Sequence, residues 1–487
     1  MNTMPQAKSA GECFIGGTWA PAASGETLEV LSPSDGIAFT RIAAGGEEDI
    51  DRAVKAARAA FDGGAWSKLT ATERGRLLMR LGEKIADNHE TIAALEARDT
   101  GKPMKQARAD IVAAARYFEF YGAAADKVHG ETLPFLAGYN VQTLREPFGV
   151  TGHIIPWNYP AQMVGRSLAP ALAMGNAVVL KPAEEACLTS LKIAALAQEA
   201  GFPDGAINVV TGLGHVAGAA LAKHPGVDFL SFTGSPEVGT IIQIAAARNH
   251  IGCTLELGGK SPQIVFDDAD LEAALPVLVA AIVQNGGQTC SAGSRALIQR
   301  PLFDRVVEQL GERFSKLRAG PHDSDLDLGA LISAKQKARV EDYIAKAGAP
   351  AAPVVARGAI AAEAPEGGHY VAATLIAPIE EDHLLAKEEI FGPVLCCLPF
   401  EDEADAVRLA NDTDYGLVAG IWSRDGGRLQ RVARAMRCGQ VFLNGYGAGG
   451  GIELPFGGVG KSGHGREKGF AALHEFSQIK TIVHNHG

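Results

Sequence analysis

Residues 150–155 read VTGHII, and three similar runs follow: NAVVLKP at 176–182, AINVVTG at 206–212 and VDFLSFTGS at 227–235. Each run is largely apolar, and each gap between runs is long enough for a helical crossover. Strands of this kind are typical of a parallel sheet that is covered by helices on both faces. The stretch therefore predicts an α/β fold with a doubly wound sheet, of the type that binds nucleotides.

On either side of this stretch the pattern changes. Apolar residues at three- and four-residue spacing predict helices over 48–61 and 72–101, so the chain begins as a helical layer. A second α/β region follows Leu257, with a predicted boundary near Gly258 and Gly259. Its predicted strands are PQIVF, RALIQ and PVLCCLPF, and its predicted helix is LFDRVVEQLGERFSKL. The Ala- and Pro-rich piece 347–368 predicts a surface connection.

Size and charge limit the functions open to this chain. Its 487 residues predict two or more domains, and a net charge of -11 argues against binding to nucleic acid or anionic membranes. The seven cysteines form no CxxC pair and no metal-ligand spacing, so we expect free thiols and no metal. Free thiols and the lack of a signal-like N-terminus predict a cytoplasmic protein, and no apolar run is long enough to span a membrane.

Three residues are candidates for chemistry. Cys290 lies among small residues in QNGGQTCSAGSR, which suits an accessible nucleophile, although most free cysteines are structural. Glu256 follows an apolar run and precedes two glycines, so it is either a base facing a cavity or a cap paired with Lys260. Asn158 lies between two prolines, where its amide either faces a developing oxyanion or closes a turn.

Glycines and charged residues at strand ends suggest a cofactor site. Gly212, Gly214 and Gly218 resemble a dinucleotide fingerprint, but the final spacing is wrong. A better phosphate site is FTGSPEVG, because it places small residues at a predicted helix N-terminus. Lys181 and Glu184 follow another strand end, where ligands of open parallel sheets bind.

Taken in order, seven motifs resemble the aldehyde dehydrogenase superfamily: PWNYP, KPAE, FTGS, ELGGK, GQTC, EEIFGPV and PFGGVGKSGHGRE, within a match from about Phe14 to Val483. The resemblance implies an NAD(P)-dependent, non-acylating enzyme with three structural parts. These are a Rossmann-type cofactor domain at 1–127 and 148–258, a catalytic domain at 259–458, and oligomerisation strands at 128–147 and 474–487. It also implies a homodimer or a homotetramer.

Position by position, the resemblance makes Cys290 the nucleophile and Glu256 the general base. Asn158, with the Cys290 backbone amide, would stabilise the oxyanion. In this chemistry, thiolate attack on the aldehyde gives a thiohemiacetal, hydride transfer to the nicotinamide leaves a thioester, and water hydrolyses the thioester to the acid. Glu467 matches a position assigned to proton relay, but the lysine that accompanies it in the family is Ser167 here.

The cofactor implied by the resemblance is NAD. Lys181 and Glu184 would contact the adenosine ribose, and the Glu184 carboxylate would repel the 2′-phosphate of the alternative, NADP. Glu389 and Phe391 would position the nicotinamide ribose and ring. The remaining predicted contacts are Ile154, Ile155, Pro156, Trp157, Gly214, Phe232, Thr233, Gly234, Ser235, Val238 and Leu257.

The substrate tunnel would be lined by Tyr159, Met163, Arg166, Thr289, Ser291 and Ile452. Arg166 resembles the arginine that holds the substrate carboxylate in succinic semialdehyde dehydrogenases, which suggests a semialdehyde. However, the second arginine of that subfamily is Gln284 here, so the carboxylate clamp would be incomplete. A structural ion pair at Arg166, or an aromatic or other polar aldehyde as substrate, is the alternative.

Two other functions remain open at this stage. One is a CoA-acylating semialdehyde dehydrogenase, in which CoA rather than water releases the acyl group. The presence of Glu256 argues against this activity, because that class commonly lacks the base. The other is a non-catalytic protein on an inherited dehydrogenase fold, which would have no need for Cys290 or Glu256.

Overall fold

The computed structural model describes residues 11–347, 352–447 and 451–487. The first ten residues of the predicted cofactor domain, and residues 348–351 and 448–450 of the predicted catalytic domain, lie outside the described residues. The α-helices of the described ranges are α1 Glu47–Phe61, α2 Ala71–Asp87, α3 His89–Thr100, α4 Met104–Ala124, α5 Pro160–Met174, α6 Leu188–Ala200, α7 Ala219–Lys223, α8 Pro236–Arg248, α9 Leu271–Val283, α10 Phe303–Phe314, α11 Ala334–Ala347, α12 Leu384–Lys387, α13 Glu403–Asn411, α14 Gly426–Ala435 and α15 Gly469–Glu475.

The strands fall into two large sheets and three small ones. They are β1 Cys13–Ile15, β2 Thr18–Ala20, β3 Thr27–Leu31, β4 Ala38–Ala43, β5 Thr132–Leu133, β6 Tyr139–Pro147, β7 Val150–Ile155, β8 Ala177–Pro182, β9 Ile207–Val209, β10 Phe229–Thr233, β11 Gly252–Glu256, β12 Pro262–Val265, β13 Arg295–Gln299, β14 Arg318–Ala319, β15 Val354–Arg357, β16 Ala359–Ile360, β17 Thr374–Ile376, β18 Val394–Phe400, β19 Val418–Trp422, β20 Gln440–Leu443, β21 Gly463–His464 and β22 Ser477–Asn485.

The first large sheet has the strand order β2-β1-β9-β8-β7-β10-β11-β21. Its five central strands, β9 to β11, are parallel, and the four apolar runs of the sequence form four of them. The order reverses between β7 and β10, because the chain adds strands first on one side of β7 and then on the other. Such a switch point opens a crevice at the carboxyl ends of the strands, where ligands of this architecture bind.

Helices cover this sheet as the sequence pattern predicts. The β8 residues Val178, Val179 and Leu180 are fully buried, which a strand reaches only when both faces are covered. Helix α1 packs against β7, β8 and β9, and α5 packs against β7 and β8. The helical pattern over 72–101 forms two helices rather than one, because the chain leaves helical geometry at Asn88.

The second large sheet has the order β15-β17-β18-β13-β12-β19-β20, and it is parallel except for the edge strand β15. Alternate residues of its strands face two separate hydrophobic cores: Ile264 and Leu297 face one, and Val265 and Ile298 face the other. The three predicted strands are β12, β13 and β18. The predicted surface connection 347–368 is partly wrong, because it contains the edge strand β15 and the short strand β16.

The chain crosses between the two sheets from Glu256, the last residue of β11, to Pro262, the first of β12. It returns at β21, which pairs with β11. This return requires Gly463, which has a φ of +98° and whose added Cβ would lie 1.9 Å from the Leu255 carbonyl oxygen. The crossing and the return bring the segment that follows β21 to the end of β11.

A small antiparallel sheet is formed by β22, β6 and β5. Its strands lie within the two ranges predicted for oligomerisation, and several apolar side chains on and beside it are exposed: Phe135, Leu136, Leu144, Ile479 and Val483. The oligomerisation role itself stays a prediction at this point.

Among the described residues, none of the helices has the length and apolarity needed to cross a membrane. The same ranges contain no cluster of His, Cys, Asp or Glu side chains arranged to hold a metal ion. All seven cysteines are unpaired.

Candidate active site

Cys290 lies in the loop between α9 and β13 and contributes to the wall of a cavity of about 390 Å³. Close backbone approaches fix this loop. A Cβ on Gly259 would lie 2.4 Å from the Cys290 carbonyl oxygen, and one on Gly287 would lie 2.1 Å from the Gly392 oxygen. Burial raises the pKa of the Cys290 thiol to about 11, while the positive charges of Arg166 and Lys468 act in the opposite direction.

Asn158 is buried beside the Cys290 loop, and hydrogen bonds to its own backbone carbonyl hold it in place. Its carbonyl oxygen accepts hydrogen bonds from Lys102 Nζ at 3.1 Å and from Asn285 Nδ2 at 2.8 Å. Its side-chain Nδ2 donates to the Gln288 carbonyl at 2.9 Å, which uses one of its two N–H groups. The second N–H is left to serve a substrate oxygen, as the predicted oxyanion role requires.

Lys102 supports the site from behind, and sequence reasoning did not identify it. Its fully buried ammonium group lies 3.0 Å from Glu96 Oε1 and also pairs with Asp110. Glu96 in turn accepts the backbone N–H of Ala161 in the first turn of α5. The only sequence signal is a lysine two residues after the end of a helix, which does not distinguish a buried lysine from a solvated one.

Glu256 forms a buried charge cluster with Arg166 and Glu467. Arg166 Nη2 lies 3.1 Å from Glu256 Oε2, and Arg166 Nε pairs with Glu467 Oε2. All three side chains are at most 4% exposed. Burial raises the pKa of Glu256 well above its ordinary value, with Arg166 opposing this shift and Glu467 adding to it.

The structure speaks against one of the two sequence interpretations of Glu256. A pair with Lys260 was the alternative to a catalytic base, but Lys260 forms no ion pair with any residue in the described ranges. For Arg166, the structure shows the ion pairs that were the alternative to a substrate anchor. The guanidinium nevertheless contributes to the cavity wall and lies 4.5 Å from the centre of the Phe456 ring.

The predicted adenosine contacts meet at the carboxyl edge of the first sheet. Lys181 Nζ lies 2.6 Å from Glu184 Oε2, and the backbone N–H of Gly214 donates to Glu184 Oε1 at 3.1 Å. Burial alone would raise the pKa of Glu184, but Lys181 holds it below the ordinary value. The carboxylate is therefore ionised and remains partly exposed at this edge.

The predicted phosphate and nicotinamide contacts flank the switch point between β7 and β10. Ile154 and Ile155 end β7, Phe232 and Thr233 end β10, and Ser235 caps α8 by accepting the N–H of Val238. The remaining three predicted contacts in this stretch are Pro156 and Trp157, which follow β7, and Gly234, which follows β10.

A groove of about 650 Å³ lies beside α8, and its walls include Leu257 and Glu389. Glu389 Oε1 accepts the backbone N–H of Gly259 at 2.8 Å, and burial raises the pKa of Glu389 to about 7. The Phe391 ring meets the Trp157 ring edge-on, with 5.5 Å between centres. Phe391 has a φ of +60°, a rare conformation for an aromatic residue that is often associated with functional sites.

Five of the six predicted tunnel residues form part of the 390 Å³ cavity wall: Tyr159, Met163, Arg166, Thr289 and Ser291. Two tyrosines fasten the Cys290 loop, because Tyr159 Oη lies 2.7 Å from Thr289 Oγ1 and Tyr446 Oη donates to the Ser291 carbonyl. Ile452 is instead packed in the hydrophobic core, and its neighbours Gly451 and Leu454 take the place at the wall.

Comparison with known proteins identifies the family of this chain. The family model described as "Aldehyde dehydrogenase family" matches residues 19–482. The chain belongs to the aldehyde dehydrogenase family. It is accordingly an oxidoreductase that acts on aldehydes, and the predicted family and α/β fold class are confirmed.

Several relatives in this family cover almost the whole chain. Aldehyde dehydrogenase family 2 member B4, mitochondrial, from Arabidopsis thaliana is 42% identical over 97% of this chain and 88% of its own length. Benzaldehyde dehydrogenase, mitochondrial, from Antirrhinum majus is 41% identical over 96% and 88%, respectively. The crystal structure of betaine aldehyde dehydrogenase from Staphylococcus aureus in complex with NAD+ has a TM-score of 0.95 at 35% identity, covering 99% of this chain and 95% of that one.

Proposed function

We propose that this aldehyde dehydrogenase oxidises an aldehyde to a carboxylic acid with NAD, through a thioester on Cys290 that Glu256 helps to hydrolyse. The observation that carries the proposal is the association of three groups around the Cys290 loop. These are a thiol on the wall, an amide tied to the thiol's own loop, and a buried carboxyl whose charge acts on that thiol.

The chain's own groups account for each step. The Cys290 thiolate forms a bond to the aldehyde carbon, and the oxygen becomes an oxyanion that the free N–H of Asn158 and the Cys290 backbone N–H stabilise. The carbon then loses its hydrogen as hydride, which leaves a thioester. Glu256 next takes a proton from water, the water oxygen bonds to the acyl carbon, and the carbon–sulfur bond breaks to return the thiolate.

The residues at the carboxyl edge of the first sheet fit NAD, which supplies the hydride acceptor when bound. The Glu184 carboxylate, fixed by Lys181 and the Gly214 N–H, suits a ribose with two free hydroxyls. The capped N-terminus of α8 suits a pyrophosphate. Glu389 and Phe391 are proposed to hold the nicotinamide end, and the negative charge of Glu184 disfavours the 2′-phosphate of NADP.

Hydrolysis rather than transfer to CoA is supported by the burial of Glu256. A base that is removed from solvent, with a raised pKa, is suited to take a proton from a single water molecule near neutral pH. A CoA-acylating enzyme needs no such base. Release of free acid without CoA is the result that agrees with this proposal.

We propose an aromatic aldehyde as the substrate class. The cavity volume of about 390 Å³ suits a small ligand, and five aromatic side chains lie on its wall: Tyr117, Tyr159, Phe442, Tyr446 and Phe456. Arg166 already faces two carboxylates, so a substrate carboxylate would have to displace one of them. The benzaldehyde dehydrogenase of Antirrhinum majus, at 41% identity, supports the same class.

Benzaldehyde and 4-carboxybenzaldehyde differ only by a carboxylate and therefore test the role of Arg166. We expect wild-type enzyme with NAD to have a kcat/KM for benzaldehyde at least tenfold above that for 4-carboxybenzaldehyde. Arg166→Met should lower kcat for both aldehydes by a similar factor, because it leaves Glu256 and Glu467 without their counterion. A rise in KM for 4-carboxybenzaldehyde alone would show that Arg166 binds substrate and that the semialdehyde hypothesis is right.

We also propose that the protein forms a homo-oligomer and that it functions in a reducing compartment. The small sheet of β22, β6 and β5, with its exposed apolar side chains, supports a homodimer or a homotetramer. Seven unpaired cysteines support a reducing compartment such as the cytoplasm. Several relatives are mitochondrial proteins, as their names state.

A further inference from the structure

A line of buried hydrogen bonds leads from strand β7 to Glu467. Thr151 Oγ1 lies 2.7 Å from His153 Nε2, and His153 Nδ1 lies 2.6 Å from Ser167 Oγ on α5. Ser167 Oγ lies 3.1 Å from Ser231 Oγ on β10, and Ser231 Oγ donates to Glu467 Oε1 at 3.1 Å. All five side chains are at most 2% exposed, so each bond is made without competition from bulk solvent.

The chemistry of these groups fixes the direction of every bond. Ser231 donates to Glu467, so its single proton is used there. Ser231 must then accept from Ser167, whose own single proton is thereby used. Ser167 must accept in turn from His153, which requires the tautomer with its proton on Nδ1 and leaves Nε2 to accept from Thr151.

The imidazole of His153 is suited to this part of the line. Burial lowers the pKa of His153 to about 3, so the ring is neutral and carries one donor and one acceptor. The ring also stacks on Phe476, with 5.6 Å between centres, which fixes its plane. The assigned tautomer follows from the hydrogen-bond network and not from an observed hydrogen.

We propose that His153, Ser167 and Ser231 are positioning residues that hold Glu467 against Arg166, and so leave Glu256 as the carboxylate that takes a proton from the hydrolytic water. The proposal rests on the proposed role of Glu256 as the base. It gives a function to the serine at 167, where the family commonly has a lysine.

The charge balance of the cluster explains why this matters. One guanidinium faces two buried carboxyls, so the two carboxyls compete for the charge of Arg166. The hydrogen bond from Ser231 holds Glu467 in place against Arg166, and less of the Arg166 charge then reaches Glu256. The other ionisable groups acting on the pair are Arg466, Lys468, Tyr117, Tyr121, Cys290 and Glu475.

Decay of a preformed acyl-enzyme tests the proposal apart from the oxidation step. The enzyme is acetylated on Cys290 with p-nitrophenyl acetate, freed of excess reagent, and followed by mass spectrometry as the acetyl group is lost between pH 5.5 and 9. In Ser231→Ala this hold on Glu467 is lost and Arg166 can pair more closely with Glu256, so Glu256 is ionised at lower pH. The hydrolysis rate falls at acid pH, and we call this part of the pH profile the acid limb. We expect its midpoint to move down by roughly one pH unit, a shift of the size that one hydrogen bond to a charged group produces.

Matched variants separate this effect from simple damage. Ser167→Ala should shift the limb in the same direction by less, and Ser231→Thr, which keeps the hydroxyl, should restore the wild-type limb. Thr254→Val removes a buried hydroxyl from the neighbouring strand that has no hydrogen-bond partner, and it should shift nothing. If Ser231→Ala does not yield folded protein, Ser167→Ala still tests the proposal, because the acid limb of its hydrolysis rate should move to lower pH.

Two results would overturn this proposal. A third result would instead test the role of Glu256 as the base. An unchanged limb in both serine-to-alanine variants, or an equal shift in Thr254→Val, would show that the line has no part in setting the proton of Glu256. Glu256→Gln should leave the acetyl group on Cys290 at every pH. If Glu256→Gln hydrolyses the acyl-enzyme as wild type does, the base itself is assigned wrongly, and the proposed function fails rather than this inference.

Discussion

Cys290 illustrates a conflict that the active site has to resolve at the scale of one residue. Burial, which protects the thioester from stray water, also raises the pKa of the thiol to about 11 and so reduces the fraction of thiolate at neutral pH. Arg166 and Lys468 oppose this shift, and both lie on the wall of the same cavity. The positive charge of Arg166 therefore favours the thiolate, and Lys468 adds to this effect only in part, because burial lowers the pKa of Lys468 to about 7.

Replacement of this cysteine is the first prediction at the residue scale. Cys290→Ala should reduce NADH formation to background, because no other side chain of the described cavity wall supplies a thiol. NAD binding, measured by calorimetry, should stay within about twofold of wild type, since Cys290 carries no predicted cofactor contact.

Cys253→Ala is the matched control, because Cys253 is also half-buried but lies on β11 and has no role in the proposed chemistry. It should keep wild-type activity. Substantial NADH formation by Cys290→Ala would remove the proposed nucleophile. Loss of NAD binding in the same variant would show that the substitution disturbs the cofactor edge.

At the scale of elements, Lys102 joins parts of the fold that the sequence keeps separate. Glu96 belongs to α3, Asp110 to α4, and the Asn158 carbonyl to the turn before α5, and the one ammonium group contacts all three. A buried ion cluster of this kind adds little stability over an apolar core, but removal of one member leaves uncompensated charge. Lys102 thus fixes the position of the oxyanion donor.

Lys102→Met should therefore destabilise the protein by about 3–5 kcal/mol, seen as a fall of several degrees in the calorimetric unfolding temperature. It should also lower kcat by more than it raises KM, because Asn158 acts on the oxyanion that forms during the reaction.

Lys105→Met is the control, since the Lys105 side chain is exposed and contacts only the Asp325 carbonyl. Its unfolding temperature should match that of wild type. An unchanged unfolding temperature in Lys102→Met would mean that the cluster holds no buried charge in solution. A stability loss with normal kcat would separate the cluster from Asn158.

The sequence predicted those strands and helices that have a clear local pattern of apolar residues. The apolar runs became β7, β8, β9 and β10, because a strand covered on both faces has an unbroken apolar signature. The break at Asn88 and the edge strand β15 were missed. Neither was recognised from local pattern, since the helix pattern continues across the first, and the second is a run of four residues, VVAR, inside an Ala- and Pro-rich stretch.

At the scale of the whole molecule, the predicted site depended on the order of seven motifs, and its roles came from resemblance rather than from spacing. What the sequence could not predict are contacts between distant positions. The pairing of Arg166 with Glu256 and Glu467, and the line from His153 to Ser231, join residues that are distant in the chain, and no motif specifies which of them meet. Tertiary structure alone brings them together.

Assembly of whole chains is the last prediction. Strand β22 is the edge of its small sheet and has no partner on its outer side within the described residues, so its backbone groups are available to another chain. Ile479 and Val483 lie on the same face of this strand, with 59% and 56% of their surface exposed. A long apolar edge of this kind is normally covered in a stable protein. We expect sedimentation velocity to give two or four times the 50.8 kDa of one chain.

The double variant Ile479→Asp/Val483→Asp should shift the protein to the monomer, because four or more like charges would meet where the apolar faces pair. Gln478→Asp/His484→Asp adds two charges to the opposite face of the same strand and should keep the wild-type mass. Since Glu256, Cys290 and the cofactor edge all belong to one chain, the monomer should still bind NAD. A monomeric wild type would remove the oligomerisation role of β22, and an unchanged mass in the first variant would place the interface on another surface.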